Sequence, residues 1–146
     1  MKKITLFALL LFGVACNTVQ QPQPAPADLE ALVTTYFTHF NQHEWTEMAD
    51  MYSDTADFKD PSLGKGIVKQ SKQQTVDKYK TLAGMFPNLH DRIEKIYVSG
   101  SNHVIVEFVS TGTAADQTAF ELPICTVFRV EKGKITGDFT YFDNSQ

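Results

Sequence analysis

The hydrophobic pattern of this chain changes period near residue 90, and that change restricts the folds open to it. From Leu29 onward, Leu29, Leu32, Val33, Tyr36, Phe37 and Phe40 recur at spacings of three and four, which makes one apolar stripe on a helix. From Asp91 onward the residues alternate instead: Val104, Val106 and Phe108 lie against Ile105, Glu107 and Val109, the period of an extended strand. The chain therefore reads as helices first and strands afterwards, an α+β arrangement with helices laid on one face of a sheet.

Each half subdivides further. Asp28 is a plausible N-cap for the first helix, and Trp45, Met48, Met51 and Tyr52 continue the stripe in a second, shorter helix after Asn41 to Glu44 interrupts it. A third helix is predicted over 67 to 85, with Ile67, Ser71, Thr75, Tyr79, Leu82 and Met85 on one side and an end near Gly84. Ile93 to Val98 and His103 to Gly112 flank the turn Ser99-Gly100-Ser101-Asn102 as a hairpin. Phe120 to Val130 and Ile135 to Phe142 form a second pair around Glu131 to Lys134, with Pro123 making its strand locally an edge or a bulge. Three helices on a strongly curved, mostly antiparallel sheet leave a cone-shaped pocket around the first helix.

Between the second and third helices lies MYSDTADFKDP, residues 51 to 61. Alternation puts Phe58 and Asp60 on one face of a short strand, and Pro61 biases Asp60 to extended geometry and ends the strand. One carboxylate then points where a phenylalanine points. An ordinary turn aspartate before proline is the alternative.

Residues 1 to 15 carry two lysines and then an apolar run ending in small residues, the pattern of a signal peptide. Gly13-Val14-Ala15-Cys16 resembles the lipobox of bacterial lipoproteins, which implies lipidation at Cys16. Asn17 after it favours the outer membrane where a cell has one. Residues 16 to 27 are rich in proline and glutamine and read as a tether, with the domain over 28 to 146. Removing Lys2 and Lys3 lowers the 13 basic residues to 11 against 17 acidic, a net charge of −6. Nucleic acid, which is bound through clustered Lys and Arg, is not an expected partner. Cys125 reads as a small buried hydrophobe within an apolar strand. His39 and His43 sit four apart on a helix, but no third ligand is evident, so neither metal nor cofactor is expected.

LVTTYF at 32 to 37, MYSDTADFKDP and the closing GKI and TYFD segments resemble the nuclear transport factor 2-like superfamily, which includes ketosteroid isomerases and SnoaL-type polyketide cyclases. The spacing from Tyr36 to Asp60 matches the isomerases without a gap, while FPNLHDRIEKIYVSGSNHVIVEFVSTGT is more similar to the SnoaL-type branch. The resemblance implies Asp60 as general base, Tyr36 as oxyanion donor and Tyr52 as the tyrosine supporting it. It places the isomerases' second donor, an aspartate, at Thr126, and the cyclases' acid/base aspartate at Thr140. Asp138 shares Thr140's parity and could stand in for it, or could be an exposed strand charge.

With 11 Phe and 5 Tyr the chain can line its pocket with aromatics. Phe40, Trp45, Tyr52 and Phe58 are the predicted lining from the first half, and Met85, Phe86 and His90 that from the third helix and its exit. Thr126, Phe128, Thr140 and Phe142 complete it from the strands, with Glu107 either a pocket carboxylate or the polar side of its strand. The sequence thus points to an exported, lipid-anchored domain that binds a small apolar or aromatic molecule at the cell envelope. A proton-transfer enzyme is the alternative. A homodimer is expected from the resemblance, since the open sheet face commonly supports dimers in this superfamily.

Overall fold

The computed structural model describes residues 25–142. Their order is α1 (Pro26–Asn41), α2 (Trp45–Asp50), β1 (Tyr52–Lys59), a short 3-10 turn (Pro61–Leu63), β2 (Val68–Ser71) and α3 (Lys72–Met85). The strands β3 (His90–Ser99), β4 (His103–Thr113), β5 (Ala119–Glu131) and β6 (Lys134–Tyr141) follow. The signal peptide, Cys16 and most of the tether lie outside the described residues.

The strands make one unclosed sheet in the order β2-β1-β6-β5-β4-β3. Neighbours are antiparallel except β1 and β6, which are parallel. Lys132 and Gly133 both take positive φ, 52° and 72°, as a two-residue hairpin turn of the primed kind requires. Register shifts in the β1–β6, β3–β4 and β5–β6 pairs add local bends to the ordinary twist, and the sheet curves around α1. Leu29, Val33, Tyr36, Phe37 and Phe40 of α1 are all buried. They pack on Val104, Val106 and Phe108 of β4 and Phe128 of β5, with edge-on aromatic contacts such as Phe37–Phe108 at 4.9 Å.

Three expectations about the helices need correction. The helices do not precede the sheet as a block, because β1 and β2 lie between α2 and α3. The helix predicted over 67 to 85 starts at Lys72: residues 68 to 71 pair antiparallel with β1, and Ser71 caps the helix through reciprocal bonds with Gln74. At its start α1 includes Pro26 and Ala27, and Asp28 sits in its first turn, where its carboxylate accepts from the Ala25 amide at 3.1 Å.

Pro123 pairs with Val109 of β4, while β6 ends at Tyr141 opposite Cys125. The missing N–H of Pro123 therefore falls where β5 has an edge on the β6 side. Cys125, predicted to be buried, is only half-buried, because its parity, opposite to Thr126, turns it to the sheet face away from α1. Burial and then the charge of Glu107 push its thiol up.

Candidate functional site

Between α1, α3 and the concave face of β4 to β6 lies a cavity of about 670 Å³, a size suited to a drug-sized molecule. Phe37, Phe40, Leu82, Phe108, Ile124 and Phe128 supply most of its apolar wall. Three clusters around buried carboxyl groups interrupt that wall.

The first is a hydroxyl relay under α1. Tyr36 faces the cavity, and its hydroxyl is 3.3 Å from that of Tyr52, which lies 2.6 Å from Asp138 Oδ2. Thr140 donates to Asp138 Oδ1 at 3.1 Å and is 2.8 Å from Thr126. Tyr52 owns one hydroxyl hydrogen, so the protonation of Asp138 sets the direction of the relay. With Asp138 ionised, Tyr52 donates to it and Tyr36 donates to Tyr52. With Asp138 protonated, donation runs outward through Tyr52 to Tyr36, whose hydrogen then serves Tyr79 or a group in the cavity. Burial pushes the Asp138 carboxyl up against the opposing bonds from Tyr52 and Thr140. Burial also raises both tyrosines well above the ordinary phenol value, reinforced for Tyr36 by Tyr79 and for Tyr52 by Asp138, so Tyr36 remains a phenol near neutral pH.

The second group is the ion pair of Asp60 with Lys78. Asp60 ends β1 and caps the 3-10 turn, where Oδ1 accepts from the Ser62 amide at 2.7 Å and Oδ2 pairs with the Lys78 ammonium. Burial alone would raise Asp60, but Lys78 and Ser62 outweigh it and hold the carboxyl below its ordinary value. Burial would lower Lys78, yet the neighbouring Tyr79 and Asp60 keep its ammonium protonated above the ordinary lysine value.

The third is Asp91 at the start of β3, opposite Ser110 of β4. Both are buried and both line the cavity. Asn41, at the end of α1, clamps the Asp91 backbone: its Nδ2 donates to the Asp91 carbonyl and its Oδ1 accepts from the Asp91 amide, each at 2.8 Å. The carboxylate itself is not so served, for Oδ1 has no hydrogen-bond partner among the described residues. Burial pushes this carboxyl up to about 7, opposed only by Ser110.

Of the residues singled out from sequence, Tyr36, Phe40, Asp60, Met85, Thr126, Phe128, Thr140 and Phe142 line the cavity. Trp45, Tyr52, Phe58, Phe86 and His90 do not. Trp45 is held between His43 and Tyr79 by stacking at 4.9 and 5.8 Å, and Tyr52 lies behind Tyr36. Phe58 packs on Tyr52 at 5.2 Å, Phe86 packs edge-on against Phe120 at 4.8 Å, and His90 is exposed. Glu107 is exposed on the outer sheet face. His39 lies 2.6 Å from Glu44 and the His43 ring faces the Leu89 carbonyl at 2.9 Å.

Sequence reasoning missed Lys78, Asp91 and Ser110 and left Asp138 open. Lys78 was legible, since Thr75, Lys78, Tyr79 and Leu82 follow i, i+3, i+4, i+7 and place a lysine on an apolar stripe. The parity of Asp138 with Thr140 and Phe142 also pointed inward.

Helices seated on one curved sheet over an apolar cavity with a buried hydroxyl relay define a small α+β cavity domain. Residues 33–137 match the SnoaL-like domain, and the chain belongs to that family, which includes polyketide cyclases and isomerases. No curated protein sequence is significantly similar to it. Among solved structures it is similar to a hypothetical protein of ketosteroid isomerase-like fold from Catenulispora acidiphila, crystallised with trimethylamine. The identity is 23% and the TM-score 0.68 over 78% of this chain and 86% of that one. AusH from Aspergillus nidulans is 16% identical with a TM-score of 0.71, covering 84% and 88% of the two chains. The epoxide hydrolase/cyclase-like enzyme SalBIII, of pyran ring formation in salinomycin, is 16% identical with a TM-score of 0.69, covering 80% and 91%. At these identities the likeness is one of fold.

Proposed function

We propose that this domain holds a small, mainly apolar molecule in its cavity, with an oxygen of that molecule at the Tyr36 hydroxyl. The observation that carries the reading is the Tyr36–Tyr52–Asp138 relay. Buried polar groups cost stability unless they are satisfied, and packing alone calls for phenylalanine and leucine at these positions. The relay leaves one hydroxyl facing an apolar space of ligand size, able to donate or accept according to the state of Asp138.

A fluorescence titration with 2-naphthol tests this. Saturable binding of one molecule per chain is expected, and Ile124→Trp, which intrudes on the cavity, weakens it while the protein keeps its circular dichroism spectrum. No saturable binding to wild type would end the proposal.

Proton transfer is the second reading, favoured by the same relay as an oxyanion donor. It requires Asp60 to act as base although Ser62 and Lys78 hold both its oxygens. An Asp60→Asn variant with full turnover on a β,γ-unsaturated ketone would remove that role from Asp60. The proposal also places the domain at the cell envelope, anchored through Cys16 and paired as a homodimer through the outer sheet face. Mass spectrometry of the processed N-terminus and light scattering across a concentration series test these two parts.

A further inference from the structure

The relay and the ion pair leave Asp91 without a task. We infer that Asp91 and Ser110 form a subsite for a protonated amine, so that the cavity takes an apolar molecule with a basic nitrogen on the side of β3 and β4. The inference rests on the proposed binding role of the cavity.

Asp91 is 5% exposed, and its Oδ1 is unpartnered while the residue lines the cavity wall. A buried carboxylate in that condition lacks a donor or a cation. Ser110 supplies one neutral hydroxyl, which does not balance a charge. Among the described residues lining the cavity no other lysine or arginine stands by, and Lys78 is committed to Asp60. Among the charged residues lining the cavity, Asp60, Asp77, Asp91 and Asp138 face a single Lys78, so the wall carries an excess of acid that favours a cationic guest.

The surroundings suit an ammonium group as well. Phe108 lies two residues from Ser110 on the same strand face and lines the cavity with Phe37, which it meets edge-on. Aromatic rings attract a desolvated cation. The Asn41 clamp fixes the Asp91 backbone before any ligand arrives, which lowers the ordering cost of binding.

Register sets the subsite apart from the relay. Asp91 aligns with Ser110, and Asp138 aligns through Phe128 with Val104. Six residues of β4 therefore separate the level of Asp91 from the level of Asp138, so the carboxylate and the relay meet the cavity at different levels of the sheet.

The test compares 4-phenylbutylamine with 4-phenylbutan-1-ol, similar in shape and different in charge, by calorimetry on the purified protein at pH 8 and pH 5.5. The groups facing Asp91 are Ser110 from β4 and Asn41 from α1; its chain neighbours His90 and Arg92 are exposed. Asp91 is thus the group in this subsite that changes charge across that range.

At pH 8 the amine is expected to bind wild type at least about tenfold tighter than the alcohol, ~1.4 kcal/mol. The preference shrinks at pH 5.5 and is lost in Asp91→Asn, while Asp91→Glu retains part of it. Equal affinities in wild type at pH 8, or a preference that survives in Asp91→Asn, would overturn the subsite and leave the cavity reading standing. Failure of both probes and of 2-naphthol to bind would take down both. Where Asp91→Asn does not fold, Asp91→Glu and the wild-type comparison at pH 8 still decide, since equal affinities of amine and alcohol there overturn the subsite.

Discussion

Replacing Asp91 by asparagine changes stability with a sign opposite to that of an ordinary buried substitution. The folded carboxyl is raised to about 7, against roughly 3.9 in an unfolded chain. Between those values the folded protein binds more protons than the unfolded one, so this residue lowers stability as pH rises from about 4 to about 7, with no further change above that range. Three units of pKa amount to on the order of 4 kcal/mol. Asparagine has nearly the same shape and cannot ionise. Wild type and Asp91→Asn are therefore expected to agree within about 1 kcal/mol at pH 4, while at pH 8 the variant is more stable by roughly 2 to 4 kcal/mol. Asp60 and Asp138 titrate in both proteins, and their contributions drop out of the difference. Urea denaturation from pH 4 to pH 9 measures it. A variant less stable than wild type by the same amount at every pH would refute the reasoning, for it would show that Asp91 is satisfied in the folded protein.

Three further outcomes follow from the same geometry. Lys78→Met strands the Asp60 carboxylate in a largely buried place and is expected to cost about 3 to 5 kcal/mol, read by urea denaturation at pH 7. The loss shrinks as pH falls, because a carboxyl held below its ordinary value stabilises the fold above the unfolded value and ceases to do so once it is protonated in both states. Tyr52→Phe uncouples Tyr36 from Asp138 and leaves a buried carboxylate one bond short, at a cost of about 1 to 3 kcal/mol by the same assay. Gly112→Ala is expected to lower the thermal midpoint. A Cβ there would lie 2.6 Å from Phe120 Cε1 and 2.9 Å from Phe86 Cβ, and such overpacking costs about 1 to 3 kcal/mol.

Much of this fold was legible because its periods are clean. The α1 stripe and the alternation of β4 to β6 each satisfy a single burial demand, and residues on those strands reach the faces that parity assigns. The third helix was predicted too long because residues 68 to 71 form a polar edge strand with one interior neighbour, which leaves little hydrophobic signal. The Ser71 to Gln74 capping box marked the true boundary. In the site, Tyr36 and Asp60 could be placed because a helix stripe and a strand end fix their directions. Phe58 has the parity of Asp60 and is buried, yet it packs on Tyr52 and does not reach the cavity: parity gives a face, while packing gives a neighbour. Asp91 carried no signal of its own. It opens a strand next to charged residues, and its burial comes from the Asn41 clamp, a contact across 50 residues of chain that no local pattern encodes.

The central claim is that the cavity binds an apolar molecule by an oxygen at Tyr36. Calorimetric titration of 2-naphthol into wild type and Tyr36→Phe at pH 7 tests it most directly. Saturable one-to-one binding that weakens by about tenfold or more in the variant, ~1.4 kcal/mol, with the thermal midpoint preserved, is the result predicted. No saturable heat with wild type, or equal affinity in the two proteins, would contradict it.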